Sequence, residues 1–469
     1  MDEKKDWFFE EDNSDMLESV RRFEDMLDHK ARYFFDVHEL EDVIDYYLDM
    51  GDFNHAARVA KYAMNTYPGS ESIQQRVCEI LIDKGRPAEA VQILERLSGS
   101  ADCDYEVYLL KGEALLQMDK TRESLRAFEK GYSISGEDKD SAAHRIGILL
   151  ERSGQYLMAL RYLEEARSLS SDDYMIYYDL AYCWEKLDDC KKSVLFYQKF
   201  LDEDPFSEHV WYNLGIAYGR LENYDKAIES YDFAIAINEH YASAYFNKAN
   251  ILAEKGLYEE SILAYKEFIA LESESAAAFC YIGENYEKLQ DDEIALEFYR
   301  YAIRMDSTLA AAWLGLGMVT CRLESAAEGI QHIEKALELN PEYPEALLAL
   351  ARACVSLPDL SRALKVYQQL TRIEKEDPEI WIGYGDLLFQ EQPDLAISTM
   401  EQACQTHPGS HMLHLRLAAY LLLSQRQDEG LSQLRRGWVS ASSEERQSFL
   451  EDFPLFAEDP QIKQCLQEL

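Results

Sequence analysis

The sequence predicts an all-α fold, an α-solenoid in which helical hairpins stack side by side and wind into a superhelix. A pattern of apolar and small residues recurs every 34 residues along most of the chain, which is the length of a two-helix repeat. With 469 residues the chain is too long for one hydrophobic core, and growth by repetition explains that length. Hydrophobic residues make up 47% of the chain, so each hairpin has enough apolar surface to pack in an ordered way.

The repeats can be placed along the chain from one reference repeat, residues 208–241. Further repeats then begin at residues 37, 71, 105, 140, 174, 242, 276, 310, 344, 378 and 411, which gives about twelve hairpins. The repeat at 105 carries one extra residue, and one residue is missing in the turn at Gln392 and Pro393. Each hairpin is expected to leave an apolar face that only its neighbours can cover.

The strongest evidence for hairpins is a pair of positions at which the two helices of a repeat must approach closely. The second helix has a small residue there in every repeat: Ala56, Ala90, Ser124, Ala159, Ser193, Ala227, Ser261, Ala295, Gly329, Ala363, Ala396 and Gly430. The facing position on the first helix is Ile44 in the first repeat and small in the others: Cys78, Gly112, Gly147, Ala181, Gly215, Ala249, Gly283, Gly317, Ala351, Gly385 and Ala418. Because interhelical distance depends on the side chains at the contact, this pattern predicts closely packed helix pairs.

Tyrosines occupy another repeated position of the second helix, at Tyr197, Tyr231, Tyr265, Tyr299 and Tyr367. Aromatic residues at regular spacing could form a ligand pocket, but a recurring packing position favours the protein core. We therefore expect these rings to fill the space beside the small residues.

The reference repeat also carries a recognisable motif. It has the spacing W-x2-L-G-x2-Y followed by small and aromatic residues, and its members are Trp211, Leu214, Gly215, Tyr218, Ala227, Tyr231 and Ala234. In this motif the chain resembles the tetratricopeptide repeat (TPR) family, and the resemblance extends over nearly the whole length. It implies a right-handed superhelix whose concave groove is lined by the first helices, in the manner of a multi-repeat scaffold.

The two ends of the chain are predicted to differ from the repeats. Residues 1–13 form a mobile acidic tail, and residues 14–36 form a capping helix that begins near Ser14. The repeat array spans residues 37–444, and residues 445–469 form a C-terminal capping segment with a helix starting at Pro460. Trp7, Phe8 and Phe9 could alternatively be a short motif that docks on a partner or in the chain's own groove.

Charge narrows the choice of partners and location. The chain has 88 acidic residues against 47 Lys and Arg, a formal net charge of −41, so nucleic acid and anionic membranes should be repelled. The N-terminus lacks the pattern of a secretory signal, and no segment is long and apolar enough to span a membrane. Together with 9 cysteines and no C-x-x-C pair, these features predict a cytoplasmic protein with reduced thiols.

No pattern of catalytic or metal-binding residues stands out. Phosphate-binding glycine loops, nucleophile elbows, zinc-protease helices and calcium loops are all absent from the sequence, so we expect no enzyme activity, no cofactor and no metal. His407, His411 and His414 have metal-site spacing, but Pro408 and Gly409 interrupt the helix, so solvent-exposed histidines are expected instead. Most cysteines fall on packing positions and are expected in the core.

The resemblance to the TPR family also indicates where a partner would bind. In that family six positions of each first helix line the groove, and in the repeats at 174, 208 and 242 these positions hold aromatic and amide side chains. The predicted partner-binding residues are Tyr178, Asp179, Tyr182, Tyr212, Asn213, Ile216, Phe246, Asn247 and Asn250. Asp179, Asn213 and Asn247 recur every 34 residues, so they are expected to form a ladder that hydrogen-bonds an extended peptide backbone. Alternatively, the asparagines are simply common at this position in generic repeats.

One binding mode of the family, the capture of an acidic C-terminus, is not expected. Asn250 matches an asparagine of that carboxylate clamp, but Phe246 stands where the clamp has a lysine. The acidic surface would also repel a carboxylate tail, so basic or neutral segments are the expected partners.

These observations favour a non-enzymatic protein-interaction scaffold that binds peptide or helical segments of partner proteins in its groove. Two other interpretations stay open: a structural protein that self-associates, and a regulatory subunit of an enzyme complex. An enzyme in its own right is the least favoured, because no catalytic constellation is visible in the sequence.

Overall fold

The computed structural model describes residues 5–28, 32–100, 103–170, 173–272, 274–357 and 360–467, and within these ranges the chain forms helices and no strand. The chain divides into two compact units, residues 1–238 and residues 239–469. Each unit is a series of consecutive helices that pack in pairs, so the predicted all-α solenoid architecture is confirmed.

The first unit contains the helices that precede residue 239. They are α1 (Lys5–Leu27), α2 (Val37–Asp49), α3 (Phe53–Thr66), α4 (Glu71–Asp83), α5 (Pro87–Leu97), α6 (Tyr105–Gln117), α7 (Thr121–Ile134), α8 (Lys139–Arg152), α9 (Tyr156–Leu169), α10 (Met175–Lys186), α11 (Cys190–Glu203), α12 (Glu208–Arg220) and α13 (Tyr224–Ile237). A short 3-10 helix, Gly136–Asp138, lies between α7 and α8.

The second unit continues the same alternation. Its helices are α14 (Ala242–Glu254), α15 (Tyr258–Leu271), α16 (Ala276–Lys288), α17 (Asp292–Met305), α18 (Ala310–Leu323), α19 (Ala326–Leu339), α20 (Pro344–Val355), α21 (Leu360–Ile373), α22 (Pro378–Glu391), α23 (Pro393–Thr406), α24 (His411–Leu423), α25 (Gln427–Ser440), α26 (Ser443–Asp452), α27 (Pro454–Glu458) and α28 (Pro460–Gln467).

The predicted hairpins are confirmed in number and register. They run in sequence order from the pair α2–α3 to the pair α24–α25, and every first helix begins within one residue of its predicted start. The extra residue in the repeat at 105 is accommodated by the 3-10 helix after α7. The missing residue leaves Gln392 alone between α22 and α23, where it caps both helices.

The two helices of each hairpin meet at the small residues, as predicted. Every residue at the two repeated positions is buried. At Gly112 a Cβ atom would lie only 2.3 Å from the ring of Phe128, so there is no room for a side chain. In the same hairpin the Ser124 hydroxyl donates a hydrogen bond of 2.7 Å to the Gly112 carbonyl oxygen. The helix backbones therefore approach most closely where the side chains are smallest.

The repeated tyrosines belong to the core, as predicted. Tyr197, Tyr231, Tyr265 and Tyr299 are almost completely buried. The Tyr231 ring occupies the space that a side chain at Gly215 would need, because a Cβ atom there would be 2.6 Å from the ring. Two of these tyrosines bind carboxylates: the Tyr197 hydroxyl donates to Glu185 at 3.1 Å, and the Tyr299 hydroxyl to Glu287 at 2.9 Å. A buried phenol needs such a partner, so Tyr197 and Tyr299 each also fix a carboxylate.

Helix α1 begins at Lys5, so the predicted start near Ser14 was wrong. Residues 5–27 contain no glycine or proline, so no helix-breaking residue prevents the helix from beginning before Ser14. Val20 and Phe23 of α1 are buried in the core of the first hairpin. Residues 1–4 of the predicted mobile tail and the side chains of residues 7–9 lie outside the described part of the chain, so the docking of that aromatic trio stays a prediction.

At the C-terminal end, three helices follow the last hairpin. Helix α28 starts at Pro460, as expected, and its Ile462 and Cys465 are buried in a cluster with residues of α25 and α26. Helix α26 takes the place of one more first helix, because its Glu445 contacts His411 of α24, 34 residues earlier, at 2.8 Å. The apolar face of the last hairpin is therefore covered by these helices.

Candidate protein-interaction surface

The predicted partner-binding residues lie on three first helices and are all partly accessible. On α10 and α12, in the first unit, they are Tyr178, Asp179, Tyr182, Tyr212, Asn213 and Ile216; on α14, in the second unit, they are Phe246, Asn247 and Asn250. Each of these side chains is half-buried. They are thus held by the fold while keeping surface that a partner can contact.

The residues on α10 and α12 form one patch. The Asn213 amide donates a hydrogen bond of 3.3 Å to the Tyr178 hydroxyl, which links the two helices. The Tyr178 ring lies parallel to that of Tyr182 with 6.5 Å between centroids, and it contacts the buried Tyr197 at 6.0 Å. The Asn213 bond uses one of the two amide hydrogens. We call these α10 and α12 residues the aromatic patch.

Asp179 is held by a histidine of the preceding repeat. The Nε2 atom of His144 lies 2.6 Å from the Asp179 carboxylate, and the Nδ1 atom lies 3.0 Å from Asp173. Burial alone would lower the pKa of His144, but its hydrogen bonds and ion pairs with the two aspartates outweigh burial and raise the pKa. The Asp179 carboxylate is therefore already bound by a side chain of the protein itself, whereas the expected ladder needs a polar group that can bind a peptide.

The α14 residues are packed more tightly than a free binding surface would be. The Phe246 ring contacts those of Tyr265, Phe268 and Tyr281, with centroids between 5.0 and 5.9 Å apart. The Asn250 carbonyl oxygen accepts a short hydrogen bond from the Tyr265 hydroxyl. Both residues therefore also serve the packing of the second unit.

A cavity of about 630 Å³ opens on the first helices α2 to α10. Its charged lining consists of Asp45, Asp49, Glu79, Asp83, Glu113, Asp140, His144, Arg145, Arg152 and Asp173. We call it the acidic cavity; His144 joins it to the aromatic patch through Asp179. Burial raises the pKa of Glu79 and of Glu113, and the nearby arginines only partly offset that effect. A cation entering the cavity would therefore stabilise the ionised carboxylates.

The acidic cavity was not predicted from the sequence, because the predicted site covered groove positions only in the repeats at 174, 208 and 242. The signal was present in the first repeats. Asp45, Glu79 and Glu113 stand at the same first-helix position, 34 residues apart, and all three line the cavity. In the sequence, this recurrence of a carboxylate at a groove position is as easy to detect as the recurrence of Asn213 and Asn247.

The first helices of the second unit enclose a different kind of depression. Two cavities, of about 770 and 370 Å³, adjoin on α20 because Leu348 and Arg352 line both. We call the combined space the apolar trough, after its lining residues Leu314, Met318, Leu348, Ile382, Met412 and Leu415. Glycine stands at two further lining positions, where the rings of Tyr299 and Tyr367 lie directly beneath the backbone of Gly315 and Gly383.

Sequence comparison agrees with this architecture. Models of the tetratricopeptide repeat match residues 47–114, 144–208, 210–241, 242–275 and 322–387, together more than half of the chain. The chain belongs to the tetratricopeptide repeat family. No curated protein matches this TPR chain in sequence.

Several solved structures are similar to the TPR chain. The APC/C hetero-tetramer Cut9-Hcn1 matches with 13% identity and a TM-score of 0.42, covering 82% of this chain and 90% of that chain. YrrB, described as a TPR protein with an unusual peptide-binding site, matches with 18% identity and a TM-score of 0.32, covering 39% and 94%. The C-terminal part of a TPR repeat-containing protein from Cytophaga hutchinsonii matches with 18% identity and a TM-score of 0.45, covering 52% and 99%.

The expectation of solvent exposure was wrong for the three histidines His407, His411 and His414: the first two are half-buried, and the third departs furthest. His414 is only 7% exposed. It occupies the repeat position that holds Trp211, Trp313 and Trp381, and each of these indoles donates to the carbonyl oxygen six residues earlier. The Nε2 atom of His414 makes the same contact with the Pro408 carbonyl oxygen at 3.3 Å. The histidine therefore replaces a tryptophan of the TPR motif, which is a structural role.

The cysteines of the TPR chain behave as core residues. Every cysteine is a free thiol, and most of them are buried. Burial raises the pKa of Cys78 to about 12 and that of Cys404 to about 11. Since only the thiolate is a good nucleophile, these two side chains are packing residues at neutral pH.

The described residues contain no group of three or more His, Cys, Asp or Glu side chains placed to hold a metal ion. Among the helices described, none combines the length and the apolarity that crossing a membrane requires.

Proposed function

We propose that the chain is a non-enzymatic scaffold whose first unit binds extended, basic or neutral segments of partner proteins along its first helices. One observation carries the proposal. The aromatic patch and the acidic cavity are joined through the contact of His144 with Asp179, so a single peptide could use both.

The aromatic patch suits an extended peptide. Tyrosine rings offer large and rigid contact area at a small cost in side-chain entropy. An asparagine amide can both donate to and accept from a peptide backbone, whose polar groups need partners when they leave water. Tyr178, Tyr182, Tyr212 and Asn213 bring these two kinds of contact together on α10 and α12.

The acidic cavity supports the preference for basic residues. Asp45, Glu79 and Glu113 are aligned along α2, α4 and α6. Asp45 already accepts two hydrogen bonds from Arg76, so lysine or arginine side chains of a partner would meet chiefly Glu79 and Glu113 in succession. The formal net charge of −41 would also speed the encounter with a basic partner at low salt. Self-association through this face is disfavoured, because two copies would bring like charges together.

The test is a display screen of random peptides of about 15 residues against the full chain, followed by affinity measurements on synthetic versions of the enriched peptides. We expect enrichment of lysine and arginine and depletion of aspartate and glutamate. The isosteric double variant Glu79→Gln with Glu113→Gln should bind the enriched peptides at least tenfold more weakly, with a shallower salt dependence.

A second variant addresses the amide of the aromatic patch. Asn213→Ala should weaken binding of the same peptides and of captured partner proteins. Leu195→Ala is the matched control, because Leu195 is 49% exposed on the second helix α11 of the same unit. Enrichment of acidic peptides, or equal affinity of the wild type and both variants, would show that the proposed site is wrong.

A further inference from the structure

We infer that the apolar trough of the second unit binds an amphipathic helix whose polar face is basic. The inference rests on the scaffold function proposed above, but it assigns a second, chemically different site to other helices. It concerns helices between α16 and α26, none of which contributes to the aromatic patch or the acidic cavity.

The lining of the trough favours a helical ligand over an extended one. Among the charged lining residues, α18 and α20 contribute the apolar side chains Leu314, Met318 and Leu348, and Gly315 contributes only backbone. None of these side chains is a strong hydrogen-bond donor or acceptor. An extended segment would leave its peptide groups without partners where it crosses them, whereas a helix satisfies its own backbone hydrogen bonds.

The shape of the trough also suits a helix with several anchors. The two cavities adjoin at Leu348, so apolar side chains spaced at i, i+3, i+4 and i+7 could enter both. Met318 and Met412 line the trough, one in each cavity. Methionine is flexible and polarisable, and it can adapt to anchors of different shape.

The arginines at the edge of the trough do not make it attractive to an acidic ligand. Arg322 donates to Asp292 at 2.8 and 2.7 Å and lies 3.0 Å from Glu287. Arg416 lies 3.1 Å from Asp386 and 3.1 Å from Asp452. Each of these two positive charges is therefore already matched by two carboxylates.

The remaining charges favour a basic ligand. Arg352 and Lys288 are the lining cations for which the described part of the second unit shows no ion pair. They are outnumbered by Glu284, Glu345 and Glu379, three exposed lining carboxylates for which that part of the chain shows no ion pair either. Charge complementarity therefore points to lysine or arginine on the flanks of the bound helix.

The probe is a fluorescent synthetic peptide of about 18 residues, or about five helical turns, with leucines on one face and lysines on the other. Two control peptides accompany it. One has the same composition in a scrambled order that spreads the leucines around the helix, and the other has glutamate in place of lysine. Binding to the full chain is followed by anisotropy at physiological ionic strength, and helix formation by circular dichroism.

We expect the leucine and lysine peptide to become helical and to bind at least tenfold more tightly than either control. The scrambled peptide carries the same charge, so it reports attraction to the acidic surface alone. Equal affinity for the amphipathic and the scrambled peptide would overturn the inference. Tighter binding of the glutamate peptide would overturn the assignment of a basic polar face.

Substitutions then locate the site. Met318→Gln with Leu348→Gln should weaken binding of the amphipathic peptide at least tenfold, because two half-buried anchors become polar. The control is Leu263→Gln, since Leu263 is 62% exposed on the second helix α15 of the same unit. Should the double variant melt early, Glu345→Lys with Glu379→Lys changes only exposed residues and should weaken binding at least fivefold.

The outcome is separable from that of the proposed function. Unchanged binding in both double variants of the trough would refute the inference and leave the acidic cavity of the first unit untouched. Conversely, Glu79→Gln with Glu113→Gln should leave the affinity of the amphipathic peptide within twofold, because these carboxylates lie in the other unit.

Discussion

Replacing Gly329 with alanine should loosen the hairpin α18–α19. A Cβ atom at this residue would lie 2.6 Å from the Gly317 carbonyl oxygen and 2.7 Å from the Cys321 backbone nitrogen. Both are backbone atoms of α18, so no side-chain rotation can relieve the clash. Ordinary contacts begin at 3.4 Å, and the two helices would have to separate by about 0.8 Å.

The expected magnitude follows from two opposing effects. Overpacking a closely fitted contact costs about 1–3 kcal/mol, and two backbone clashes place this case at the upper end, about 3 kcal/mol. Alanine favours the helix over glycine by about 1 kcal/mol. The net loss is therefore about 2 kcal/mol, which corresponds to a roughly 30-fold increase in the opening equilibrium of this hairpin.

Hydrogen exchange measured by mass spectrometry suits this prediction, because repeat proteins open locally. Amides of α18 and α19 should exchange roughly 30-fold faster in Gly329→Ala, while those of α2 and α3 should not change. The control is Gly409→Ala in the same unit, where a Cβ atom meets nothing within 4 Å. Unchanged or slower exchange of α18 and α19 in Gly329→Ala would refute the packing argument.

Two further predictions concern a turn and a buried carboxyl group. Glu222 has a φ of 56° in the turn between α12 and α13, a position that glycines such as Gly51 occupy in other repeats. Because glycine adopts a positive φ without strain, Glu222→Gly should raise the free energy of unfolding by about 0.5 kcal/mol. A lower melting temperature of the variant would contradict this prediction. Burial and the nearby Asp179 carboxylate raise the pKa of Glu151 from 4.5 to about 7. Because the folded state then keeps this proton longer than the unfolded state, stability should fall as pH rises from 4.5 to 7. Glu151→Gln removes that loss and should be more stable than wild type by about 1 kcal/mol at pH 8, after allowance for solvent screening, with no such gain at pH 4. Equal gains at both pH values in denaturation curves would show that the titration is not the cause.

The repeating parts of the structure were open to prediction from the sequence. A small residue at a close helix contact, or a tyrosine beside it, is required again in each hairpin by the same local geometry. Repetition therefore shows the constraint many times over in one chain. The hairpin starts and the buried positions of Tyr231 and Gly215 follow from that constraint alone.

The parts that repeat once or not at all were harder to predict. Two contacts of the site depend on which residues happen to face each other, and neither recurs with the 34-residue period. They are the contact of His144 with Asp179 and the hydrogen bond between Asn250 and Tyr265. The acidic cavity does have a period, but its lining comes from the first helices of five successive hairpins, and only the folded chain shows which of the many acidic residues share one space. The burial of His414 could have been predicted only if a histidine was known to replace the tryptophan that contacts the carbonyl oxygen six residues earlier.

The buried cysteines give this array a set of internal reporters. Cys78, Cys183, Cys280, Cys354 and Cys404 sit in different hairpins, and each is shielded from solvent in the native state. A thiol reagent can modify such a side chain only when its own hairpin opens. Rates of modification, resolved cysteine by cysteine, would thus record where along the array unfolding starts and how far it spreads to neighbours, without introducing any label site by mutation.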